Sequence, residues 1–380
     1  MQLGVAPVLL LLLWIVLGIA GVALALALAF HINILVRYMP VLVRIFQEKP
    51  LFIIPFGQPV ADAEEVDLRT HDGLTLKGCY LKTAEPRKGV ILFGLEFGSS
   101  RWGCVPYSGF LRDAGYDIFT FEMRGQGQSP AQDGYEPLQW VTDYDIRDFQ
   151  TAMEYLKARP DRDPRGIGFF GLSKGGGAGL HVGALDEFVR CFVTDGAFGT
   201  VSTMVPYEKQ WVYIYTRMPW MVWVIPHWYY VYAAHLGIRR ISKLRNVTYP
   251  ELEAVLHRLA PRPWLMIHGG ADNYIKPDMA RELLSYAGEP KELWLVDKAK
   301  HNQAMATANG EYQSRVLGFF DQHLGGAGDS GVRSQESGVS TEAAREKCER
   351  EVSLGAVVRN SSFVVAFIMW MKSRFRHIWS

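Results

Sequence analysis

Apolar residues are concentrated at the N-terminus, where the run from Val5 to Phe30 contains no charged residue. A helix of about 20 apolar residues is long enough to cross the hydrocarbon core of a bilayer. The run has no polar face, which disfavours a helix that is half-buried in a globular domain. Basic residues follow the run at Arg37, Arg44 and Lys49, and none precedes it. The positive-inside rule therefore places the downstream chain in the cytoplasm.

A cleaved signal peptide is the alternative interpretation, since Ala25 and Ala27 provide small residues of the kind found at cleavage sites. Signal peptides, however, begin with a basic segment and have a shorter apolar core. The sequence therefore predicts a single-pass membrane anchor in residues 1–35 and a juxtamembrane segment in residues 36–60. Within that segment, the apolar cluster Val41–Phe46 is too short to span, and it is either interfacial or packed on the domain.

Short apolar runs separated by polar turns continue from residue 61 to residue 325. Glu65–Thr70 and Leu74–Leu81 flank an Asp-Gly turn, a pattern that predicts a β-hairpin. Buried strands are predicted at 89–93, 116–121, 166–170, 190–194, 264–268 and 293–296, and an amphipathic helix at 140–158. Strands that alternate with helices indicate an α/β domain with a mostly parallel sheet.

The strand at 166–170 runs into Gly171-Leu172-Ser173-Lys174-Gly175, which is a G-x-S-x-G motif. This motif is typical of a sharp strand-to-helix turn that lifts a serine hydroxyl to the top of a parallel sheet. Glycine is needed on both sides, because side chains there would collide with the neighbouring strand and helix. Alone the motif is weak evidence, so its meaning depends on the residues downstream of it.

Candidate partners for the serine follow later strands. Asp272 comes three residues after Gly269, and His301 follows the last predicted strand. The order serine, aspartate, histidine is one of the orders in which hydrolase triads occur along a chain. Asp195 and Asp297 are rival acids, and Asp272 is preferred because it alone follows a strand and a His-Gly turn.

Together with Arg124-Gly-Gln-Gly-Gln-Ser129 after the fourth strand, these motifs resemble the α/β-hydrolase superfamily from about Asp67 to Leu324. The resemblance implies an α/β-hydrolase fold, with a mostly parallel eight-stranded sheet and helices on both faces. It also implies a serine hydrolase in which Ser173 is the nucleophile, His301 the general base and Asp272 the group that orients the imidazole.

An oxyanion hole is implied as well. The Lys174 N–H lies at the start of the helix after the serine, at the positive end of the helix dipole. A second donor would come from Leu95 or Glu96 in the loop after the third strand. The family often has His-Gly there, whereas this chain reads Gly94-Leu95-Glu96. A carboxylate would repel the developing oxyanion unless the Glu96 side chain points away.

Residues 198–259 form an insertion at the place where the family carries its cap, and this insertion is rich in tryptophan and tyrosine. Packing of cap helices on the core is one interpretation. The other is a lid whose aromatic rings rest at the lipid headgroup level, where amphipathic rings are stable. Such a lid would receive an apolar ester from the bilayer.

Composition narrows the function further. The net charge of +1 provides no basic field for nucleic acid. No zinc motif is present, and the G-x-G-x-x-G at 166–171 begins a strand instead of following one, which argues against a nucleotide site. The four cysteines are far apart in the sequence and are predicted to be free thiols, mostly buried. Residues 326–380 are predicted to form a low-complexity tail with a C-terminal amphipathic segment that is either a peripheral anchor or disordered.

The sequence therefore predicts a single-pass membrane protein whose hydrolase domain spans residues 61–325 on the cytoplasmic side. The predicted reaction is hydrolysis of carboxylic, lipophilic esters through an acyl-enzyme, without a cofactor or a metal. The predicted partners are a small-molecule or lipid ester and membrane lipid, and neither nucleic acid nor nucleotide. A serine peptidase or amidase of the same fold, or a non-catalytic membrane-tethered binding module, are the alternatives.

Overall fold

A computed structural model of the chain describes residues 5–49, 57–216 and 220–325. The predicted C-terminal tail and its amphipathic segment lie outside the described residues, as do Cys348 and the apolar residues 51–56. In the described part, Cys79, Cys104 and Cys191 are buried free thiols, as predicted.

One eight-stranded sheet forms the centre of the described chain. Its strands are β1 (Glu64–Arg69), β2 (Thr75–Leu81), β3 (Gly89–Gly94), β4 (Tyr116–Phe121), β5 (Ile167–Leu172), β6 (Val189–Asp195), β7 (Trp264–Gly269) and β8 (Lys291–Val296). They lie in the order β1-β2-β4-β3-β5-β6-β7-β8. The β1/β2 and β2/β4 pairs are antiparallel and the other pairs are parallel, which confirms the predicted mostly parallel sheet.

Ten α-helices occur in the described ranges. They are α1 (Val5–Asn33), α2 (Met39–Phe46), α3 (Val105–Asp113), α4 (Asp143–Ala158), α5 (Ser173–Ala184), α6 (Val201–Thr216), α7 (Met221–Val224), α8 (His227–Arg245), α9 (Pro277–Ser285) and α10 (Ala304–Phe320). Five of them (α3, α4, α5, α9 and α10) pack on the sheet. Shorter 3₁₀ turns lie at Arg101–Cys104, Leu252–Ala254 and Leu256–Leu259, and π-helical segments lie at Ile34–Tyr38 and Asp321–Gly325.

Two apolar cores lie on opposite faces of the sheet, because successive side chains of a strand point to opposite sides. Neighbouring residues of β5 illustrate this. The Phe169 ring meets that of Phe149 on α4 at 6.2 Å, and the Phe170 ring meets that of Phe320 on α10 at 6.4 Å. Helices therefore cover both faces, as the α/β-hydrolase prediction requires.

Helix α4 begins three residues later than the predicted start at residue 140. The reason is local, since Thr142 has extended backbone and caps the helix. Its hydroxyl accepts from the Asp145 N–H, and the Asp145 carboxylate accepts from the Thr142 N–H at 2.8 Å. This reciprocal pair is a capping box, which satisfies N–H groups that the first helical turn leaves unpaired.

The segment from Arg124 to Ser129, which follows β4, makes ion pairs and hydrogen bonds to α4 and to the β1/β2 hairpin. The Arg124 guanidinium is fully buried and pairs with Asp148 on α4 at 2.5 Å and with Asp72 in the hairpin turn at 2.7 Å. The Ser129 hydroxyl donates to the Glu122 carbonyl at 2.6 Å and accepts from the Lys77 N–H at 2.9 Å. These contacts give the segment a structural role.

The N-terminal helix continues without a break from α1 through the Ile34–Tyr38 π-helical segment into α2. The helix Val8–Phe46 is long and apolar enough to cross a membrane or to act as a signal sequence. Its most apolar stretch is not buried against the rest of the chain. Helix α2, in contrast, packs on the domain. Phe46 stacks on the Trp140 ring at 4.4 Å, and its carbonyl accepts from Trp140 Nε1 at 3.1 Å. Of the two interpretations of residues 41–46, packing on the domain is the observed one.

The insertion at 198–259 contains the cap helices α6, α7 and α8. Helix α8 packs against α2 so closely that a Cβ atom on Gly237 would lie 2.2 Å from Leu42 Cδ2. The cap and the end of the N-terminal helix therefore share one apolar cluster, which includes Met39, Leu42, Tyr230 and Ile241.

Candidate active site

Ser173 is the first residue of α5 and follows β5 directly. Its φ angle of +46° lies in the left-handed region, which a non-glycine residue adopts only when the surroundings impose it. A Cβ atom on Gly171 would lie 2.5 Å from Phe169 Cζ, and one on Gly175 would lie 2.2 Å from the Leu95 carbonyl oxygen. The two glycines thus let the strand, the turn and the helix approach closely enough to form the strained turn.

A continuous chain of hydrogen bonds joins Ser173, His301 and Asp272. Ser173 Oγ lies 3.0 Å from His301 Nε2, and His301 Nδ1 lies 2.7 Å from Asp272 Oδ2. The serine and the aspartate are buried, and the histidine side chain is only 7% exposed. The segments that follow β5, β7 and β8 therefore bring together the three residues that the sequence motifs predicted.

The loop after β7 sets the orientation of the Asp272 carboxylate. Asp272 Oδ1 accepts hydrogen bonds from the backbone N–H groups of Tyr274 at 2.8 Å and Ile275 at 3.0 Å, so Oδ2 is left for His301. His268 lies next to this loop, where its Nε2–H donates to the Ile275 carbonyl at 2.7 Å. Burial lowers the pKa of His268. This buried neutral histidine supports the loop that carries Asp272.

The two rival acids are placed differently. Asp195 ends β6, is buried, and accepts a hydrogen bond from the Tyr312 hydroxyl at 3.0 Å. Burial raises the pKa of Asp195 to about 7. Asp297 lies exposed in the turn after β8. The carboxylate that His301 Nδ1 meets is that of Asp272.

The loop that carries His301 lies against Gly196, which directly follows β6. A Cβ atom on Gly196, whose φ is +67°, would lie 3.2 Å from His301 Cε1 and 2.9 Å from Asn302 Oδ1. The Tyr107 hydroxyl on α3 donates to the Asn302 carbonyl at 2.9 Å. Residues from two separate elements thus fix the position of the imidazole.

Glu96, in the loop after β3, would repel a developing oxyanion if its carboxyl group were charged and pointed towards it. Its buried carboxyl group accepts a hydrogen bond from Asn302 Nδ2, which holds the side chain at the His301 loop. Burial raises the pKa of Glu96 to about 8, so the group is mostly uncharged at neutral pH. The repulsion expected from a carboxylate at this position is therefore largely removed.

Lys174 has its side chain buried beneath the serine turn, with none of its surface exposed. Its Nζ donates to the Leu138 carbonyl at 2.8 Å and lies 2.9 Å from Asp145 Oδ1. Asp145 is also the first-turn residue of the α4 capping box, so this buried ion pair connects α4 to the first turn of α5. The Lys174 backbone N–H belongs to that first turn, whose N–H groups have no partner within the helix.

The arrangement combines a hydroxyl, an imidazole and a carboxylate in the geometry that activates a serine. An imidazole that accepts from the hydroxyl can take its proton during attack, and the carboxylate stabilises the resulting imidazolium. Among the residues that the structure describes, no group of three His, Cys, Asp or Glu side chains is placed to hold a metal ion.

Several supporting residues could not be selected from the sequence. The Asn302 contact to Glu96 joins positions 206 residues apart, and the Lys174 side chain meets Leu138 across 36 residues. A weaker signal did exist for the Asp272 loop, because an aspartate that starts a tight turn often accepts from the N–H two residues later.

Comparison with known proteins places this geometry in a family. A model of the prolyl oligopeptidase family matches residues 108–327, a segment that includes Ser173, Asp272 and His301. The uncharacterized protein YfhR of Escherichia coli (strain K12) is 26% identical over 275 residues, which cover 70% of this chain and 83% of YfhR.

Two solved structures have the same fold. The esterase Pf2001 of Pyrococcus furiosus has a TM-score of 0.53 at 19% identity, covering 73% of this chain and 100% of the esterase. The α/β-hydrolase GrgF from Penicillium sp. sh18 has a TM-score of 0.52 at 18% identity, covering 69% of this chain and 99% of GrgF. Because the family match spans more than half of the sequence, this chain is an α/β-hydrolase and belongs to the prolyl oligopeptidase family.

Proposed function

We propose that this chain is a membrane-anchored serine hydrolase that cleaves lipophilic carboxylic esters. The observation that carries the proposal is the hydrogen-bond chain from Ser173 Oγ through His301 to Asp272, which begins at a strained strand-to-helix turn. A membrane-tethered binding module without activity would not need a buried serine in that conformation.

In the proposed reaction, Ser173 Oγ attacks the ester carbonyl carbon while its proton passes to His301 Nε2. Negative charge develops on the carbonyl oxygen, where the Lys174 N–H and a Leu95 or Glu96 N–H would stabilise it. The imidazolium then protonates the departing alcohol and leaves an acyl-enzyme. Water, deprotonated by His301, releases the acid and restores the serine.

The preference for lipophilic esters rests on the cap. Trp220, Trp223 and Trp228 are exposed large apolar side chains, and Trp223 is 88% exposed. Nearby, the Tyr229 hydroxyl and His31 Nδ1, near the end of α1, are hydrogen-bonded at 2.9 Å. Indole and phenol rings are stable at the lipid headgroup level. The exposed aromatic residues therefore lie close to the chain segment that would leave the bilayer.

Peptide hydrolysis is the second candidate, and the match to the prolyl oligopeptidase family favours it. The two reactions use the same nucleophile and the same acyl-enzyme, so the residues around Ser173 do not separate them. A paired series of acyl esters and peptide anilides, matched in the acyl group, distinguishes the candidates. Higher kcat/KM for long acyl esters supports the first, and higher kcat/KM for peptide anilides supports the second.

Ser173 is expected to react covalently with a fluorophosphonate probe, because an activated serine attacks phosphorus as it attacks a carbonyl carbon. The Ser173→Ala variant is expected to lose labelling completely while keeping its circular dichroism spectrum. Ser108→Ala is the matched control, since Ser108 on α3 is also buried but its hydroxyl donates to the Cys104 carbonyl. Labelling that persists in Ser173→Ala would contradict the assignment of the nucleophile.

The helix α1 is expected to anchor the chain as a single span, with the hydrolase domain on the cytoplasmic side next to Arg37, Arg44 and Lys49. Full-length protein should remain in the membrane pellet after sodium carbonate washing. Release into the supernatant, or an N-terminus that begins after residue 27, would indicate a peripheral protein or a cleaved signal peptide instead. Protease access to the domain from the non-cytoplasmic side would indicate the opposite orientation.

The aromatic residues of the cap are expected to couple activity to a lipid surface. Contact with a bilayer offsets the exposure of apolar area by about 25 cal/mol per Å². Long-chain esters should therefore be hydrolysed faster in vesicles than as monomers, and short soluble esters should show little difference. The double change Trp220→Ser and Trp223→Ser should remove the gain and leave Ser173 labelling intact.

Leu185→Ser is the control for that experiment, because Leu185 is an exposed apolar residue at the other end of α5. It should keep the gain in vesicles. Equal rates for monomeric and vesicle-bound substrates in the unaltered protein would indicate that the aromatic residues only pack within the cap.

A further inference from the structure

A cavity of about 380 Å³ lies between the cap and the segment where the N-terminal helix meets the domain. Cavities of about 300–1,000 Å³ are typical of small-molecule sites. Its walls are mostly apolar and aromatic, and they include Phe30, Leu42, Trp211, Ile225, Tyr229 and Ala233. Ser173, His301 and Asp272 are not among the described residues that line it, so this cavity is separate from the candidate active site.

One buried carboxyl group lines this cavity, that of Glu208 on α6. Glu208 is only 5% exposed, and within the described residues neither of its carboxyl oxygens has a hydrogen-bond partner. Buried polar groups in proteins are nearly always hydrogen-bonded, because an unpaired one has lost its hydrogen bonds to water and gained none in return. An unpaired carboxyl on the wall of a cavity is therefore the group that a ligand would satisfy.

The charge around the cavity limits the kind of ligand. Burial raises the pKa of Glu208 to about 9, so the carboxyl is neutral at pH 7 and can both donate and accept a hydrogen bond. Arg37 lines the same cavity and is exposed, and its positive charge disfavours a cationic ligand. A neutral group with a hydroxyl, ester or amide matches the carboxyl best, because a charged group of either sign would lose its hydration among the mostly apolar walls.

The position of the cavity indicates where the ligand comes from. Phe30, Asn33 and Ile34 line it, and they belong to the end of α1 and the start of the π-helical segment. The cavity is thus at the end of the proposed membrane span, beside the exposed tryptophans of the cap. A molecule in the adjacent leaflet would reach it along the apolar surface of α1.

We propose that this cavity binds one uncharged, single-chain amphiphile whose polar group is hydrogen-bonded to Glu208 and whose hydrocarbon chain lies against the aromatic walls. The proposal rests on the proposed anchor and does not depend on hydrolysis at Ser173. It assigns to the cap a lipid site in addition to the one that receives the scissile ester.

A photoreactive dodecyl glycerol ether with a diazirine in its chain tests the proposal, because the ether bond is not hydrolysed. The full chain, carrying Ser173→Ala, is placed in phosphatidylcholine nanodiscs, irradiated with the probe and mapped by mass spectrometry. Labelling is expected on Trp211, Met221 and other residues that line the cavity. It is expected to be unchanged when Ser173 is present and blocked by phosphonate.

Three variants separate a specific site from contact with bulk lipid. Glu208→Gln keeps a hydrogen-bonding group and should label within about twofold of the parent, whereas Glu208→Leu should lower labelling of the cavity by about threefold to tenfold. Ala233→Phe fills the cavity and should lower it as much. Glu282→Leu is the matched control, since Glu282 is a half-buried glutamate that does not line the cavity.

Cavity labelling that is equal in the parent, Glu208→Leu and Ala233→Phe would overturn the proposal, as would labelling confined to the outer surface of α1. Stronger competition by dodecyltrimethylammonium than by unlabelled dodecyl glycerol ether would overturn the choice of an uncharged ligand. Thermal melting of each variant in the nanodisc shows that it is folded. A negative phosphonate result at Ser173 would leave this labelling pattern unaffected.

Discussion

Replacing His301 with alanine is expected to lower kcat for ester hydrolysis by at least about a thousandfold, because Ser173 then has no group to accept its proton. Asp272→Asn should lower kcat somewhat less, since the imidazole is retained but loses the carboxylate that fixes its tautomer and stabilises its charge. Initial rates with a chromogenic acyl ester measure both effects. The variants should remain folded, as judged by thermal melting.

The matched control for this series is His257→Ala, because His257 is an exposed histidine outside the loops that meet at Ser173. Its rate should equal that of the parent protein. Asp195→Asn and Asp297→Asn test the other carboxylates near the last strands. If either of them reduces kcat more than Asp272→Asn does, the acid has been assigned to the wrong residue.

Replacing Lys174 with methionine is expected to destabilise the domain by about 3 kcal/mol, because it leaves the buried Asp145 carboxylate without its cation. The free energy of unfolding, from urea titration in mild detergent, measures the loss. A second change, Asp145→Asn, removes the unpaired charge but keeps an oxygen that can accept from the Thr142 N–H. The double variant should therefore regain much of the lost stability.

Lys243→Met provides the control for that prediction, since Lys243 is exposed on α8 and its removal should change stability by no more than about 0.5 kcal/mol. A Lys174→Met protein as stable as the parent would contradict this prediction. The ion pair would then contribute nothing to the connection between α4 and α5.

Strands β3, β4, β5 and β7 were predictable because each is a short, mostly apolar run that is buried along its whole length. The strand at 116–121 has the same limits in the sequence and in the structure. The start of α4 was not predictable from its apolar spacing, since it depends on the Thr142 cap. Apolar periodicity alone therefore places the start of α4 too early, because the hydrogen bonds of the cap determine where the helix begins.

The residues proposed for catalysis could be selected because their motifs and their order along the chain are visible in the sequence. The environment of those residues could not, since it arises from contacts between distant elements. The repulsion expected from Glu96 illustrates this limit. Only the position of Asn302, and the burial that raises the pKa of Glu96, show why this side chain can be tolerated beside the turn.

A membrane anchor joined to its domain by a flexible linker would let the domain rotate freely above the bilayer. Here the helix continues from α1 into α2, and Leu42 and Phe46 of α2 are part of the core of the cap. If α1 spans a bilayer as proposed, its tilt would set the orientation of the cap relative to the membrane plane. A hydrophobic helix adjusts its tilt to the local bilayer thickness. The thickness of the host membrane would thus determine how the cap faces the lipid.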